Sequence, residues 1–531
     1  MIEVPLAADA ASTGIIVGVT LFLAISAAIG IGSVKFVKKS SRRYIVAGKS
    51  LPLVFVGTML TAQAIDGNST LGNAAFVYDY GFWAGAVTPI GLGICLLLTG
   101  FLFGRPLNRM SLLTLPDFYY RRYGAATEGL SGILMTISFI ILVAGNFAAS
   151  GFILQMVFGI DFFLAMLIAA GIVLIYTAFG GLFSSAYTDI FQIYIAIFAF
   201  WAAFIYFATG QAGPSWDEYI NALPNGFLDT SALTDKANGA IVNWSVIVAL
   251  GLGDLVALDF MERVFAARNG RTASRGAFWG AGLTFFTVIP TAFIGIWAFT
   301  LAPDLSNHFL AYPTLAIDHA PTWLGILMLA GVLGASMSTA NGGILAISAV
   351  FSRNLIQRDI MGEMLGKPHM GNKRLLQLTR IALIPVVGIA LYIAWKSPQP
   401  GKYLALAFDV VLAGCLVPLL AGLFWSKSNK YAAMASIIIG SVARMIGYFY
   451  FNGTWGIFSP SDNALSYAGI ETFIPPIISL FVFVGVALLT QKRQPGAYYH
   501  GVIDYIPPED DIVLGEDLKG YKPPAGVTLP A

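Results

Sequence analysis

Long apolar runs, separated by short polar segments, recur along the whole of this chain. Each run is about as long as the roughly 20 residues that a helix needs to cross the hydrocarbon of a bilayer. The 531 residues are 57% hydrophobic and only 11% charged, and a water-soluble core cannot bury that much apolar surface. Within lipid, a helix satisfies its own backbone hydrogen bonds. The sequence therefore predicts an all-α, multi-pass membrane protein embedded in a lipid bilayer.

Thirteen of these runs reach spanning length, so we predict thirteen transmembrane helices. The first is expected to be retained rather than cleaved, because the segment before it lacks the basic region of a signal peptide. The predicted spans are residues 13–34, 51–77, 82–104, 125–157, 161–179, 183–209, 239–266, 276–301, 321–352, 375–396, 402–426, 430–451 and 472–490.

Positive charge alternates between the segments that connect these spans. Lys and Arg concentrate at residues 35–49, 105–122, 263–275 and 353–380, whereas the intervening connections are nearly bare of them. Cytoplasmic loops of membrane proteins carry the excess of Lys and Arg. We therefore expect the N-terminus outside and the C-terminus in the cytoplasm, in a protein of the plasma membrane.

Several functional classes find no support in the sequence. A net charge of +2 gives no indication of nucleic-acid binding. The motifs GxxxxGK[ST] and HExxH are missing, so neither ATP-driven transport nor metal-dependent hydrolysis is expected. The two cysteines, Cys95 and Cys415, fall in apolar runs and are interpreted as buried thiols. We conclude that the chain is not an enzyme.

Two spans carry a glycine and an aspartate near their middle, in "AIDGN" (64–68) and "GLGD" (251–254). These spans enter the membrane from opposite sides, five helices apart. Glycine-interrupted helices at matching positions of inverted repeats mark binding sites in transporters, because unwound backbone exposes carbonyls and half-helix ends to a ligand. We predict helix interruptions at 65–67 and 251–254. The alternative is a chance match between glycine-rich helices.

The stretch "GVLGASMSTANGG" (331–343) places hydroxyls and an amide inside a run without charged residues. Polar groups in hydrocarbon cost free energy unless something binds them, and glycine weakens a helix by roughly 1 kcal/mol relative to alanine. Either a neighbouring helix packs closely against this face, or an ion binds there.

Four stretches together resemble the sodium:solute symporter family: "RRYIVAGKSLP", "GGLFSSAYTDIFQ" (180–192), "ERVFAARN" (262–269) and "SMSTANGGILAISAVFSRNL". The likeness runs from about Tyr44 to Val484, and "YTDIFQ" and "FSRNL" are similar to the choline-transporter branch. The resemblance implies a LeuT-type core of five plus five helices in inverted repeat, with one extra helix before it and two after it.

On this resemblance the chain divides into six parts. The tail is polar and rich in Pro and Gly, and we expect it either to pack on the cytoplasmic face or to bind a protein partner. The parts are 1–50 (outer N-terminus, first extra helix and basic loop), 51–209 (first repeat), 210–238 (extracellular loop), 239–426 (second repeat), 427–490 (two peripheral helices) and 491–531 (cytoplasmic tail).

The resemblance also implies one sodium site between the first and eighth core helices. Its expected ligands are the carbonyls of Ala62, Ile65 and Ala335 and the hydroxyls of Ser338 and Thr339, with Asp189 supplying negative charge nearby. Residues 335, 338 and 339 share one helix face. Family members that bind a second sodium have an acid or hydroxyl at the positions matching Asn341 and Gly342, so only one site is expected here. Close packing of small residues is the alternative.

The solute is expected beside both interruptions, near Gln63, Asp66, Gly67, Asn68 and Asp254. Two carboxylates there favour a cationic or zwitterionic solute, or a proton. The alternative role for both acids is capping of the half-helices. For Asp254, capping and solute binding are weighed equally, whereas Asp66 is assigned to the solute.

The predicted function is a sodium-coupled importer of a small organic solute that works by alternating access. Two alternatives stay open. One is a proton-coupled or sodium-independent carrier. The other is a transporter-like sensor or accessory membrane subunit that acts through its tail.

Overall fold

The computed structural model describes residues 11–368, 370–452 and 469–493. In these ranges the regular structure is helical, and the one extended pairing is an isolated bridge between Leu51 and Ala267. The all-α prediction is therefore confirmed. The tail at 491–531 lies almost wholly outside the described residues, so both expectations for it remain predictions.

Up to residue 208, seven helices of eight or more residues follow one another. Two shorter ones, Ser41–Val46 and Gly104–Arg109, lie in the connections. The seven are α1 (Thr13–Gly32), α2 (Leu53–Ala64), α3 (Asn73–Tyr80), α4 (Phe82–Leu98), α5 (Pro116–Tyr123), α6 (Ala125–Phe158) and α7 (Phe162–Ala208).

After a connection that holds the short helices Trp216–Asn221 and Ser231–Thr234, ten further α-helices of eight or more residues follow, together with the short helix Ala311–Thr314 and a π-helix at Val350–Met364 that continues the helix Thr322–Ala349. The ten are α8 (Ala240–Val248), α9 (Leu258–Ala266), α10 (Gly270–Phe286), α11 (Val288–Leu301), α12 (Thr322–Ala349), α13 (Asn372–Lys396), α14 (Lys402–Gly414), α15 (Leu416–Phe424), α16 (Lys430–Asn452) and α17 (Ile470–Thr490).

By length and composition, the described residues contain nine helices that can cross a membrane, or eleven when each of two bent pairs counts as a span. The predicted number of thirteen additionally requires that α7, at 47 residues, crosses twice and that α2 and α3 form one broken span. At about 1.5 Å per residue, α7 is more than twice as long as the hydrocarbon is thick. The exact count remains a prediction.

The backbone of α7 leaves the helical conformation at one residue, Gly181 (φ 54°, ψ −139°). A side chain at this position would be strained by the positive φ, and its Cβ would lie 2.4 Å from the carbonyl oxygen of Tyr44. The Tyr44 hydroxyl also donates to the carbonyl of Thr177 at 2.8 Å. The change of direction in α7 is therefore fixed against the short helix Ser41–Val46.

The centre of the bundle is α12. Every residue from 328 to 349 is buried, and the helix packs against α1, α6 and α7. A helix that is buried on all sides belongs to the core of a large bundle. Small residues permit the close contacts: a Cβ at Gly331 would lie 2.9 Å from the Cα of Ala196 on α7. Close packing thus accounts for part of the 331–343 stretch.

The first predicted interruption is confirmed. Helix α2 ends at Ala64, Ile65 is extended (φ −103°, ψ 97°), and a π-helix at Asn68–Gly72 leads into α3. The chain between the two half-helices therefore leaves several backbone groups outside the regular helical pattern.

The second interruption includes the predicted range at 251–254 and extends beyond it on both sides. Residues Ala249–Gly253 form a π-helix, Asp254–Val256 form a 3₁₀ turn, and the extended residue is Ala257 (φ −66°, ψ 129°). The half-helices around it are bent by 47°. Gly253 is the last residue of the π-helix, which is wider than an α-helix. Its backbone packs closely against α14: a Cβ on Gly253 would lie 2.4 Å from the carbonyl oxygen of Phe408. The predicted range at 251–254 is thus corrected to an interruption that begins at 249 and ends at Ala257.

A buried ion network joins α5 and α6 to the continuation of α12. Asp117 accepts from Arg353 Nε at 3.4 Å and from Arg358 Nη1 at 2.9 Å, and Arg358 also contacts Glu128. The side-chain amide of Asn354 donates to both carboxylates. Paired and hydrogen-bonded charges can be buried at acceptable cost. The network fixes the end of the bundle that carries most of the basic residues, which we call the basic face (33–52, 104–124, 266–275 and 353–380).

Candidate functional site

Two hydroxyls and a backbone carbonyl converge where α2 meets α12. Ser338 Oγ and Thr339 Oγ1 each donate a hydrogen bond to the carbonyl oxygen of Ala62, at 3.1 and 3.2 Å. All three residues are buried. Hard cations bind oxygen at about 2.4 Å, which places neighbouring ligands roughly 3 to 3.5 Å apart. We call these three oxygens the hydroxyl cluster; the two distances from the Ala62 carbonyl oxygen to the hydroxyls fall in the range that two ligands of one cation have.

Gln63 contacts the same cluster. Its Nε2 atom donates to the backbone oxygen and to Oγ of Ser338, both at 3.3 Å. Its Oε1 atom is buried and has no hydrogen-bond partner among the described residues. This residue, predicted beside the solute, lies directly against the predicted ion ligands.

The other two predicted carbonyl ligands belong to the same two elements. Ile65 is the extended residue at the end of α2, and Ala335 lies one turn before the hydroxyls on the same face of α12. Both are buried. Their role as ligands remains a prediction.

Asp189 lies on α7 at the edge of the hydroxyl cluster. It is fully buried, and Ser338 is near enough to interact with its carboxylate. Its Oδ2 atom accepts from Ser185 Oγ at 2.9 Å, whereas Oδ1 has no hydrogen-bond partner in the part of the chain that the structure describes. A negative charge therefore adjoins the neutral oxygens, where it favours a cation.

Sequence reasoning missed Arg263, which it assigned to a basic connecting segment. In the structure Arg263 is on α9 and is 0% exposed. Its Nη2 atom lies 4.0 Å from Asp189 Oδ2. The signal that could have found it is its place in "ERVFAARN", directly after an apolar span that ends at the second interruption.

Asp66 is held by the protein on both carboxylate oxygens. Oδ1 accepts from the Ser69 backbone nitrogen at 2.7 Å, and Oδ2 accepts from the side-chain amides of Asn68 and Asn146 at 2.9 and 2.8 Å. The Ser69 hydroxyl in turn accepts from the Asp66 backbone nitrogen at 2.8 Å. Such a reciprocal pair caps a helix start. These hydrogen bonds fit the capping alternative for Asp66, and its contact with solute remains a prediction.

Asn146 on α6 is a second residue that sequence reasoning missed. It is fully buried, donates to Asp66, and accepts from the Gly67 backbone nitrogen at 3.0 Å. A Cβ at Gly67 would lie only 1.9 Å from Ser336 Oγ, so the broken chain is closely enclosed. The signal in the sequence was a single amide in the middle of a long apolar helix.

Asp254 differs from Asp66 in the hydrogen bonding of its carboxylate. It is 0% exposed, and within the described ranges neither of its carboxylate oxygens has a hydrogen-bond partner. The carboxylates of Asp259 and Asp66 are near enough to repel it. An ionised carboxylate buried without a donor is costly, so it needs a cation or a proton. Capping, which was weighed equally for this residue, does not match these contacts.

A small pocket of about 70 Å³ opens at the end of the bundle opposite the basic face. Its lining is mostly apolar with a few polar groups, which is the composition typical of small-molecule sites. Lys402 at the start of α14 is half-buried and is the charged residue of the lining. The lining consists of Phe76, Tyr80, Ala84, Thr88, Val242, Asn243, Val246, Leu250, Gly401, Lys402, Leu404 and Ala405. Leu250 is one turn before Asp254, so the pocket leads toward the second interruption.

Comparison with known proteins agrees with this geometry. The sequence profile of the sodium:solute symporter family matches residues 44–440. The high-affinity choline transporter 1 of Caenorhabditis elegans is 24% identical over 529 residues, covering 92% of this chain and 88% of that protein. The sodium/pantothenate symporter of Escherichia coli (strain K12) is 24% identical over 411 residues, covering 75% and 83%.

Among solved structures, a Na⁺-coupled sialic acid symporter in a substrate-bound outward-open state superposes with a TM-score of 0.72 at 15% identity. The match covers 90% of this chain and 98% of that one. At this identity the likeness concerns the fold, which is of the LeuT type.

Proposed function

This chain belongs to the sodium:solute symporter family, and on that premise we propose that it imports one small organic solute together with sodium. The observation that carries the proposal is the hydroxyl cluster, in which Ser338 and Thr339 meet the Ala62 carbonyl at the first interruption. Neutral oxygens suit a hard monovalent cation, and the adjoining charge of Asp189 adds to the attraction. Sodium is a transported substrate here.

Sodium binding is expected to stabilise one conformation of the broken helix. The cluster spans α2 and α12, so an ion shared by both holds them together. When the ion leaves, Ser338 and Thr339 keep only their hydrogen bonds to one carbonyl, and the two helices can separate more easily. A ligand shifts a conformational equilibrium by its difference in affinity for the two states. This difference couples the sodium gradient to solute movement by alternating access.

We propose a zwitterionic solute. Asp254 offers a buried carboxylate to which no described residue donates, which suits an ammonium group, and Lys402 in the pocket suits a carboxylate. The relatives are named for choline and for pantothenate, so their names do not agree on one solute. The predicted contacts at Gln63, Asp66, Gly67 and Asn68 remain part of this proposal.

The basic face is proposed to lie in the cytoplasm and the pocket to open outside, by the positive-inside rule. This orientation places the N-terminus outside and the C-terminus inside, in the plasma membrane. The six predicted parts of the chain, from 1–50 to 491–531, are proposed on the same orientation.

Uptake into proteoliposomes tests the function. The protein is reconstituted, an inward sodium gradient is imposed, and radiolabelled amino acids, betaines, amines, monocarboxylates and urea are screened. We expect sodium-driven accumulation of a zwitterion. Equal uptake when sodium is replaced by potassium would contradict sodium coupling, and uptake driven by a proton gradient alone would favour the carrier alternative.

The sensor alternative has a separate test. Deleting the residues after Gln491 removes most of the tail but none of the site. An importer keeps its uptake in this variant, whereas a protein that signals through its tail loses its output.

A further inference from the structure

The guanidinium of Arg263 lies within the candidate ion site, inside the bundle. Its Nη2 atom donates to Ser185 Oγ at 2.8 Å, and the same hydroxyl donates to Asp189 Oδ2 at 2.9 Å. Ser185 therefore bridges the cation and the anion, whose nearest charged atoms are 4.0 Å apart. Nη1 donates to the carbonyl of Asp259 at 3.1 Å and contacts Glu262 Oε2 at 3.3 Å.

The guanidinium lies against α12 at a position where that helix has no side chain. A Cβ at Gly342 would lie 2.6 Å from Arg263 Nη2 and 3.0 Å from Nη1. Gly342 is one helical turn beyond Ser338, on the same face. The Oε1 atom of Gln63, unpartnered among the described residues, reaches the same place, 2.4 Å from that Cβ.

This place has the properties of a second cation site. It is fully buried, and it adjoins the carboxylate of Asp189, to whose Oδ1 none of the described residues donates. An acid enclosed in this way needs a positive charge close to it. Arginine supplies one permanently, because its guanidinium is not deprotonated in proteins.

Resting on the proposed sodium symport, we infer that the Arg263 guanidinium is a resident cation that fills the position of a second sodium ion, so this chain binds one sodium. A tethered charge cannot be carried across the membrane with the solute. It compensates only part of the charge of Asp189, because it also contacts Glu262, so the acid still attracts the ion at the hydroxyl cluster while the guanidinium adds nothing to the driving force. This explains why residue 342 is a glycine: the guanidinium occupies the space that a side chain there would need.

The number of bound ions tests this inference without knowledge of the solute. Purified full-length protein is equilibrated with radioactive sodium, and bound sodium per protein is measured at saturation. We expect one ion for the unmodified chain and two for Arg263→Gln, because the variant leaves Asp189 uncompensated and frees its space. In Arg263→Gln with Asp189→Asn the second ion should disappear, and Arg263→Lys should keep one.

Each result decides between the possibilities. Two ions bound by the unmodified chain, or one ion bound by a monodisperse Arg263→Gln protein, overturns the inference while leaving sodium symport intact. No bound sodium in the unmodified chain overturns the proposed function instead. If Arg263→Gln does not fold, Arg263→Met takes its place, because it also removes the charge and retains Asp189; it is expected to bind two ions, and one ion bound by a monodisperse Arg263→Met protein overturns the inference.

Discussion

The side-chain amide of Asn146 donates a hydrogen bond to the carboxylate of Asp66 across 2.8 Å, from one long helix to the start of the half-helix after the interruption. Asp66 thus uses its acceptors on the protein, whereas Asp254, the matching acid of the second repeat, has no donor among the described residues. Two acids that look equivalent in sequence therefore have different surroundings, and the consequence for stability and uptake can be measured.

Asp66→Asn should destabilise the fold, because an amide cannot accept from Ser69, Asn68 and Asn146 as the carboxylate does. Loss of buried hydrogen bonds of this kind costs about 1–3 kcal/mol. Thermal unfolding of the detergent-solubilised protein measures it. Asp254→Asn is the matched control and should leave the melting temperature equal or higher, while uptake of the solute falls at least tenfold. A reversed order of the two melting temperatures would refute this division of roles.

Removal of the hydroxyls of Ser338 and Thr339 should weaken sodium binding stepwise. Each alanine variant is expected to raise the sodium concentration for half-maximal uptake several-fold, and the double variant to nearly abolish sodium dependence. Because binding is reciprocally linked, solute affinity should recover in part at high sodium. Alanine is a good helix former, so the double variant should fold. An unchanged sodium dependence in a monodisperse double variant would remove the ion from the hydroxyl cluster.

The charge of Lys402 should select for a carboxylate on the solute. Lys402→Gln is expected to reduce the affinity for the transported zwitterion roughly three- to tenfold, since a half-buried charged partner contributes less than a fully buried one. Lys402→Arg is the control that keeps the charge. Competition by the matching amine without a carboxylate should be unaffected by either change; if it weakened equally, Lys402 would be acting on the pocket's shape.

The contribution of the Asp117 carboxylate to the free energy of unfolding should be independent of pH near neutrality. Burial raises the pKa of Asp117, but the charges of Arg353, Arg358 and Arg121 outweigh burial and hold that pKa below its usual range. A carboxyl of this kind stabilises fully above its unfolded pKa of about 3.9, and the contribution is lost only as the pH falls through the lower folded value.

In a Glu128→Gln background, which removes the neighbouring acid that shares Arg358 and Asn354, Asp117→Asn is therefore expected to lower the free energy of unfolding by about 3–5 kcal/mol, equally at pH 6 and pH 8. Denaturation at both pH values, with the exposed Asp217→Asn as control, checks this. A loss that differed clearly between the two pH values would show that Asp117 is not the ionised member of the network.

Hydrophobicity and the placement of glycine were enough to predict the broad architecture. Apolar runs indicated the all-α membrane fold, and "AIDGN" located the first interruption at Ile65, which is the extended residue. The second was located by "GLGD", but its extent from 249 to Ala257 was not, because Gly253 packs closely against α14, a tertiary contact that no local pattern contains. Hydropathy also cannot distinguish an arginine in a loop from a buried arginine. Arg263 follows an apolar span, and this sequence context would be the same whether its side chain were exposed or buried. Its burial depends on Ser185 and Asp189, which are distant in sequence.

The junction at Gly181 has a further consequence when the two repeats are compared. In the second repeat the corresponding helices α13 and α14 are joined by residues 397–401, whereas in the first repeat one non-helical residue does the same within α7. The first junction is thus a single residue rather than a flexible connection, and this glycine packs against Tyr44. A tilt in the first part of α7 must pass directly to the part that carries Asp189, while the second repeat can absorb the same tilt in its connection. The two halves of the core are therefore mechanically unequal despite their common design, and the stiffer half is the one that carries Asp189.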